Sequence, residues 1–540
     1  MNSAFGIIAI AAVCLVTLTI GALGFRLSRT TSDFYVASRM VTPTWNASAI
    51  GGEYLSAASF LGVAGLIYAQ GADMLWLPVG YTVGYLVLLL LVAAPLRRSG
   101  AYTIPDFAED RLESVAIRRL CSVLVLGIGW LYLVPQFKGA GLALHAASGA
   151  PTWVGNLVVA VVVLTNVVGG GMQSITLVQA VQYWIKLTAI SIPAFILLSW
   201  WMRHGQPIPQ VVSTPPGDSW SRPLSGFGGV QHPVYATYST ILALCFGTMG
   251  LPHVLVRFYT NPDGASTRRT TSVVLALLGL FYLFPPLYGA FGRIYLPHLP
   301  AGTSPDSVTL LLPTVVIPGV VGQLMSAVLA GGAFAALLST ASGLTICVAG
   351  VVDQDLVRGR LRRFTGNDAR AINGFRISAV AAVCVPFWLS LAARDIGLAD
   401  TVGLAFAIAA STFCPLLILG IWWRCLSTTG AAAGLVVGGT LASAAVLLTI
   451  FKLVHGGWAC ALLGQPAAWT LPVTFLVMVV VSRATPRRIP RGTARTMVRL
   501  HAPEALSAHL GEQHHGAPRA PRAPEPLEPH EPREPLEPRR

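Results

Sequence analysis

An acid, three glycines and two serines fall within one short stretch of an apolar run long enough to cross a bilayer: Gly51-Gly52-Glu53-Tyr54-Leu55-Ser56-Ala57-Ala58-Ser59-Phe60-Leu61-Gly62. Hydrocarbon makes such groups costly, so an ionisable residue at that depth marks a functional site. Paired glycines let the backbone leave helical geometry and bare its carbonyl oxygens. Bare backbone at membrane depth is tolerated only where protein buries it or it lines a wet cavity. A broken helix early in the chain is how many secondary transporters build a central ion site.

A second polar cluster, Ala335-Ala336-Leu337-Leu338-Ser339-Thr340-Ala341-Ser342, lies in a later apolar run. Helical period places Ala336 one turn before Ser339 and Thr340, so a carbonyl and two hydroxyls converge on one point. Hard monovalent cations take such oxygens; the alternative is hydroxyls bonding back to their own helix. Paired with the broken run around Gly52, the cation site is preferred. A third segment, Cys245-Phe246-Gly247-Thr248-Met249-Gly250-Leu251-Pro252-His253, carries two glycines and a proline that interrupt another span. Two interrupted spans in corresponding positions of two halves point to a binding site between them. His253 then binds substrate, relays protons or is a structural hydrogen-bonder. Lys138, in Pro135-Gln136-Phe137-Lys138-Gly139-Ala140-Gly141, pairs with Glu53, binds an anionic substrate or snorkels; Lys186, midway along its span, snorkels or acts directly. Candidate substrate residues are Glu53, Ser56, Ser59, Gln136, Lys138, Gly247 and Gly250.

These groups need a membrane to hold them. Of 540 residues, 54% are hydrophobic and only 11% charged, whereas a soluble domain carries about 25% charge. The net charge of +14 sits in short arginine clusters between apolar runs, which is membrane topology and not nucleic-acid binding. Thirteen runs are long enough to span, near 4–26, 43–69, 74–96, 115–147, 152–168, 175–201, 235–256, 271–296, 315–351, 371–393, 397–422, 429–453 and 469–484. The first has no basic leader and is expected to be a retained helix. Alternate connections hold the arginines: Arg26, Arg29 and Arg39 after the first span, Arg97, Arg98, Arg111, Arg118 and Arg119 after the third, and Arg257, Arg268 and Arg269 after the seventh. The positive-inside rule therefore predicts an outside N-terminus and a cytoplasmic C-terminus.

The expected organisation is a first helix and loop (1–42), a first repeat (43–201), an extracellular loop (202–234), a second repeat (235–422), two further helices (423–486) and a tail (487–540). Proline density in the tail, with Glu-Pro-Leu-Glu-Pro occurring twice, predicts a disordered cytoplasmic segment. The eight cysteines are scattered singly with no metal-ligand spacing and are expected to pack as small apolar groups. No nucleophile elbow, phosphate loop, zinc spacing or haem motif is present, so the chain is not expected to be an enzyme.

Ser32-Asp33-Phe34-Tyr35-Val36-Ala37-Ser38-Arg39 followed by Gly52 through Gly62 resembles the opening of the sodium:solute symporter family. Tyr102-Thr103-Ile104-Pro105-Asp106-Phe107, Gly170-Gly171-Met172 and Leu338-Ser339-Thr340 continue the likeness, which runs from about residue 5 to 485. Ser56 through Gly62 and Gly250 through Phe258 look like its acetate and short-monocarboxylate branch. The resemblance implies an all-α integral membrane protein of about thirteen transmembrane helices. Its leucine-transporter-type core would hold two inverted five-helix repeats, spans 2–6 and 7–11. It also implies a Na+ site made by backbone carbonyls of Gly52, Leu55 and Ala336 with the hydroxyls of Ser339 and Thr340, and Ser56 is similar to a family serine beside it. Glu53 departs from the expected aspartate and Lys138 from an apolar or amide residue. The function implied is uptake of a monocarboxylate such as acetate, propionate or pyruvate from within a bacterial cytoplasmic membrane. Na+ or H+ would be the coupling ion, with no organic cofactor and no nucleic-acid partner. The rivals are the same fold carrying an amino acid, urea-like solute or sugar, a membrane sensor, and a passive channel.

Overall fold

In the computed structural model, residues 3–25, 41–204, 220–357, 368–392, 397–454 and 456–502 are described. The Ser32–Arg39 motif, part of the 202–234 loop and the tail from 503 onward lie outside the described residues.

The described chain is helical throughout, because in hydrocarbon only a helix satisfies its own backbone within one segment. Eleven stretches are long and apolar enough to cross a membrane. Two of them turn back midway. Ala58–Leu91 reverses at Gly71, whose φ of 79° suits only glycine. Thr152–Arg203 breaks at Gly171, at φ 59° and ψ −162°.

The helices are α1 (Ser3–Phe25), α2 (Pro43–Tyr54), α3 (Val63–Gln70), α4 (Trp76–Leu91), α5 (Ile104–Leu112) and α6 (Val115–Ser148). Then come α7 (Thr152–Arg203), α8 (Pro233–Gly247), α9 (Pro252–Val256), α10 (Gly264–Phe281), α11 (Pro285–Tyr295) and α12 (Val308–Val316). The last are α13 (Val320–Val351), α14 (Asp368–Ala392), α15 (Leu398–Trp422), α16 (Thr428–Ile450), α17 (Ala467–Ala484) and α18 (Thr493–His501).

Polarity is arranged for lipid. Leu15, Leu90, Phe195, Trp388 and Leu476 are exposed on outer faces, as expected where the surroundings are acyl chains. The centre is α13, with α1, α6, α7 and α14 packed around it. Its run Gly331-Gly332-Ala333-Phe334-Ala335-Ala336 is wholly buried, since small residues let neighbouring backbones approach closely.

One end of the bundle, the base, is tied by ions. Arg118 at the start of α6 reaches Asp106 of α5 at 2.9 Å, Glu109 at 2.6 Å and Asp355, beyond α13, at 2.6 Å. Thr103 caps α5 by accepting from Asp106 N, and Asp263 caps α10 by accepting from Ser266 N at 2.6 Å. The Ser266 amide beside Asp263 holds its carboxyl below the usual range.

The tail begins later than its expected start at 487. Residues 493–501 form α18, whose Met497 and Leu500 are buried one helical turn apart. Arg111 donates to Thr493 Oγ1 at 3.3 Å, and Arg98 to Leu500 O at 3.5 Å. An apolar pair at helical spacing thus docks a segment that composition assigns to solvent.

Candidate functional site

The first break opens between Tyr54, where α2 ends, and Ala58, where a π-helical turn (Ala58–Gly62) leads into α3. Breaking a helix strands carbonyls before the gap and amides after it. Here side chains distant in sequence take them up. Gln136 of α6 accepts from Ala57 N at 3.2 Å. Thr340 of α13 donates to Glu53 O at 2.5 Å. Lys186 of α7 donates to Gly52 O at 2.5 Å and to Leu55 O at 2.8 Å. Gly52 has no alternative residue, because an added Cβ would lie 2.2 Å from Gln179 O of α7.

The oxygens that the sequence groups together do converge. Ser339 Oγ donates to Gly52 O at 2.6 Å or to Ala336 O at 2.9 Å, and accepts from Lys186 Nζ at 2.8 Å. Thr340, one residue on, turns its hydroxyl toward Glu53 O.

Beside this cluster lies a buried ion pair. Glu53 Oε2 accepts from Arg257 Nε at 2.5 Å, and the two side chains are 3% and 1% exposed. Arg257 also donates to Thr176 Oγ1 at 2.7 Å and to Gln179 Oε1, both on α7. Gln179 passes the chain of bonds on to Ser339 O at 2.6 Å. Glu53 lies across Gly343 of α13, where a Cβ would clash with the carboxylate. Four elements therefore meet on Glu53, Arg257 and Lys186: α2, α7, α13 and the short turn after α9.

Two sequence expectations change here. Glu53 pairs with Arg257 and not with Lys138, which is half-buried and acts instead on Asp306 and Asp400. Arg257, assigned by its position to the cytoplasmic arginines after the seventh span, is buried. The break at Thr248–Gly250 delays the second half of that span, so that Arg257 still lies within it.

The second break is built differently. Gly247 and Gly250 press on the backbone of α15, where a Cβ at either would lie 2.5 Å from Phe406 O or Ala409 O. This contact makes them helix-packing residues. His253, in the half-helix beyond, is 1% exposed, and neither ring nitrogen has a hydrogen-bond partner. Its ring stands 5.0 Å from that of Tyr132.

Between the breaks stand aromatic rings. Tyr81 stacks on Tyr282 at 5.6 Å and meets Phe406 edge-on at 5.4 Å. Ser59 bonds Tyr282 OH at 2.9 Å, and Ser56 accepts from Ala58 N at 3.2 Å. A cavity of about 400 Å³ descends to Tyr81 from the end opposite the base, past Asp73, Leu77, Leu244 and Asp400.

Two opposed broken helices at mid-depth, aromatic walls and a cavity open toward one end define a secondary transporter of the leucine-transporter-type fold, not an enzyme. Residues 34–438 match the Sodium:solute symporter family, and the chain belongs to it. It is 31% identical to "Uncharacterized symporter YwcA" of Bacillus subtilis (strain 168) over 480 residues, covering 86% of this chain and 91% of the relative. It is 30% identical to a "Monocarboxylic acid transporter" of Corynebacterium glutamicum over 491 residues, covering 86% and 88%. In fold it is similar to a Na+-coupled sialic acid symporter solved in a substrate-bound outward-open state. The TM-score is 0.69 at 13% identity, with 89% of this chain and 97% of that one covered. It is also similar to Mhp1, a nucleobase-cation-symport-1 family transporter, at TM-score 0.53 and 14% identity, with 87% and 99% covered. The protein is thus a multi-pass membrane symporter.

Arg257, Gln179 and Thr176 are the site residues that sequence reasoning passed over, while Lys186 was singled out without its partners. The signal was present: Thr176, Gln179, Tyr183 and Lys186 fall at helical spacing on one face of an otherwise apolar span.

Proposed function

We propose that the protein takes up a small monocarboxylate, of the size of acetate, propionate or pyruvate, by symport with a cation across a bacterial cytoplasmic membrane. The observation that carries this reading is the buried charge beside the first break. Two basic side chains, Arg257 and Lys186, face the single acid Glu53 there, all three buried. A monoanion bound between the breaks supplies a second partner for them. The half-helix starting at Ala58 adds the favourable N-terminal end that such transporters aim at a carboxylate. The monocarboxylic acid transporter among the relatives supports the same solute class.

The arginine-rich base is the cytoplasmic face, with the N-terminus outside. The cavity above Tyr81 then faces outward, and solute enters there. Rocking of the two repeats passes it to the cytoplasm, driven by an inward cation gradient at about 2.3 kcal/mol per charge per 100 mV. Substrate contacts are assigned to Ser56, Ser59 and Gln136.

The test is uptake of radiolabelled pyruvate into proteoliposomes, with unlabelled acetate, propionate, proline and glucose as competitors. Saturable uptake inhibited by the two carboxylates alone is expected. Saturable proline uptake untouched by carboxylates would replace the reading with an amino-acid symporter.

A further inference from the structure

The oxygens that the family resemblance assigns to a mobile sodium ion are engaged by a cation that the chain itself carries. Lys186 Nζ lies 2.5 Å from Gly52 O, 2.8 Å from Leu55 O and 2.8 Å from Ser339 Oγ. An ammonium has three N–H donors and no acceptor, so these three contacts satisfy it fully. Lys186 is fully buried and reaches the break from α7, a helix that is neither part of the break nor part of α13.

Gly52 O accepts from Lys186 Nζ and lies 2.6 Å from Ser339 Oγ, and Ser339 Oγ in turn accepts from the ammonium, so lone pairs on both oxygens are in use; Thr340 turns its proton toward Glu53 O. A sodium ion needs lone pairs from these same oxygens. It would also place a second unit charge against the ammonium at low dielectric, where like charges repel strongly.

Three neighbouring helices supply the groups around Lys186. Glu53 of α2 is the charged group acting on Lys186, and Glu53 is itself held by Arg257. From α13 the facing groups are the neutral hydroxyls of Ser339 and Thr340. From α1, Thr17 faces the same helix and is bonded to Gln182 at 2.9 Å. The donor set therefore does not fit an added sodium ion while Lys186 is in place.

Resting on the symporter reading above, we propose that the α2–α13 site holds the Lys186 ammonium as a built-in cation in place of sodium. Monocarboxylate uptake by this protein then needs no sodium.

Two measurements on the full chain test this. The first is the thermal midpoint of purified protein in sodium chloride against choline chloride at equal ionic strength, because an ion that binds the folded state stabilises it by mass action. Equal midpoints are expected for the wild type. Lys186→Ala, which frees three oxygens, should gain a sodium-dependent rise of a few degrees. A sodium-dependent rise in the wild type overturns the proposal, whether or not the variant folds. The second is [14C]pyruvate uptake into proteoliposomes with an inward sodium gradient or a matching choline gradient, at the same pH difference and membrane potential. Equal initial rates are expected, and several-fold stimulation by sodium overturns the proposal. If pyruvate, acetate and propionate all fail to enter under any gradient, the monocarboxylate reading falls, while the thermal midpoints still decide what occupies the site.

Discussion

The two helix breaks look equivalent in the sequence and are held by different physics. At the first, carbonyls of Gly52, Glu53 and Leu55 and the amide of Ala57 are met by side chains from α6, α7 and α13. At the second, Thr248 bonds back to Leu244 O at 2.7 Å, and glycines seat the turn on the α15 backbone. One joint is pinned by charge and the other fitted by shape. A charge-pinned joint resists any displacement that separates its partners, because each group left behind is buried and unpaired. A shape-fitted joint tolerates sliding as long as no side chain intrudes. The contrast predicts where substitutions hurt, and in what way.

The largest effect belongs to the pinned joint. Arg257→Met takes from buried Glu53 the cation that is hydrogen-bonded to it, and breaking a buried pair in this way costs about 3–5 kcal/mol. Monodisperse protein on size-exclusion should fall to a small fraction of the wild-type yield. Pairing the change with Glu53→Gln should recover part of it. Wild-type yield from Arg257→Met alone would show that charge does not hold the first break.

At the fitted joint, Gly250→Ala drives a Cβ to 2.5 Å from Ala409 O, and overpacking of this kind costs about 1–3 kcal/mol. The thermal midpoint should fall while the Glu53–Arg257 pair stays intact. An unchanged midpoint would mean that the second break is looser than its contacts imply.

A smaller effect is expected just past that joint. Asp263→Ala removes the α10 cap, worth about 1 kcal/mol. Because the folded pKa of Asp263 is lowered, its contribution is present above the unfolded carboxylate range. It is lost as pH falls through the folded value. Wild type and Asp263→Ala should therefore converge in midpoint at acid pH, and a gap that persists there would refute the charge-assisted cap.

The smallest effect is at His253. Neither ring nitrogen is bonded, so replacing it with an apolar residue of similar size leaves no partner stranded. His253→Phe should match the wild-type midpoint. A marked loss of stability would reveal a bond made by this ring, and make the second break polar after all.

Much of the fold was legible because long apolar runs and paired glycines have a narrow physical meaning in a membrane. Gly52, Ser339 and Thr340 were legible for the same reason, as polar groups that hydrocarbon does not accept without purpose. Arg257 was not, since a helix break alters depth and counting arginines assumes continuous spans. Lys186 was left between snorkelling and a direct role, because two of its three partners are backbone carbonyls, which carry no mark in the sequence. The tail boundary failed for a related reason: Met497 and Leu500 are two apolar residues in a polar stretch, and their weight comes from the surface they meet.

That last helix also sets a timetable. Arg111 is bonded to Gly420 O and Trp423 O of α15 and its exit, and to Thr493, 382 residues downstream. At roughly 5–20 residues per second of synthesis, some tens of seconds separate the emergence of Arg111 from that of its last partner. Until Gly420 follows, 309 residues downstream, the guanidinium has none of these three partners. The set of bonds that holds Arg111 is therefore completed only when α18 leaves the ribosome.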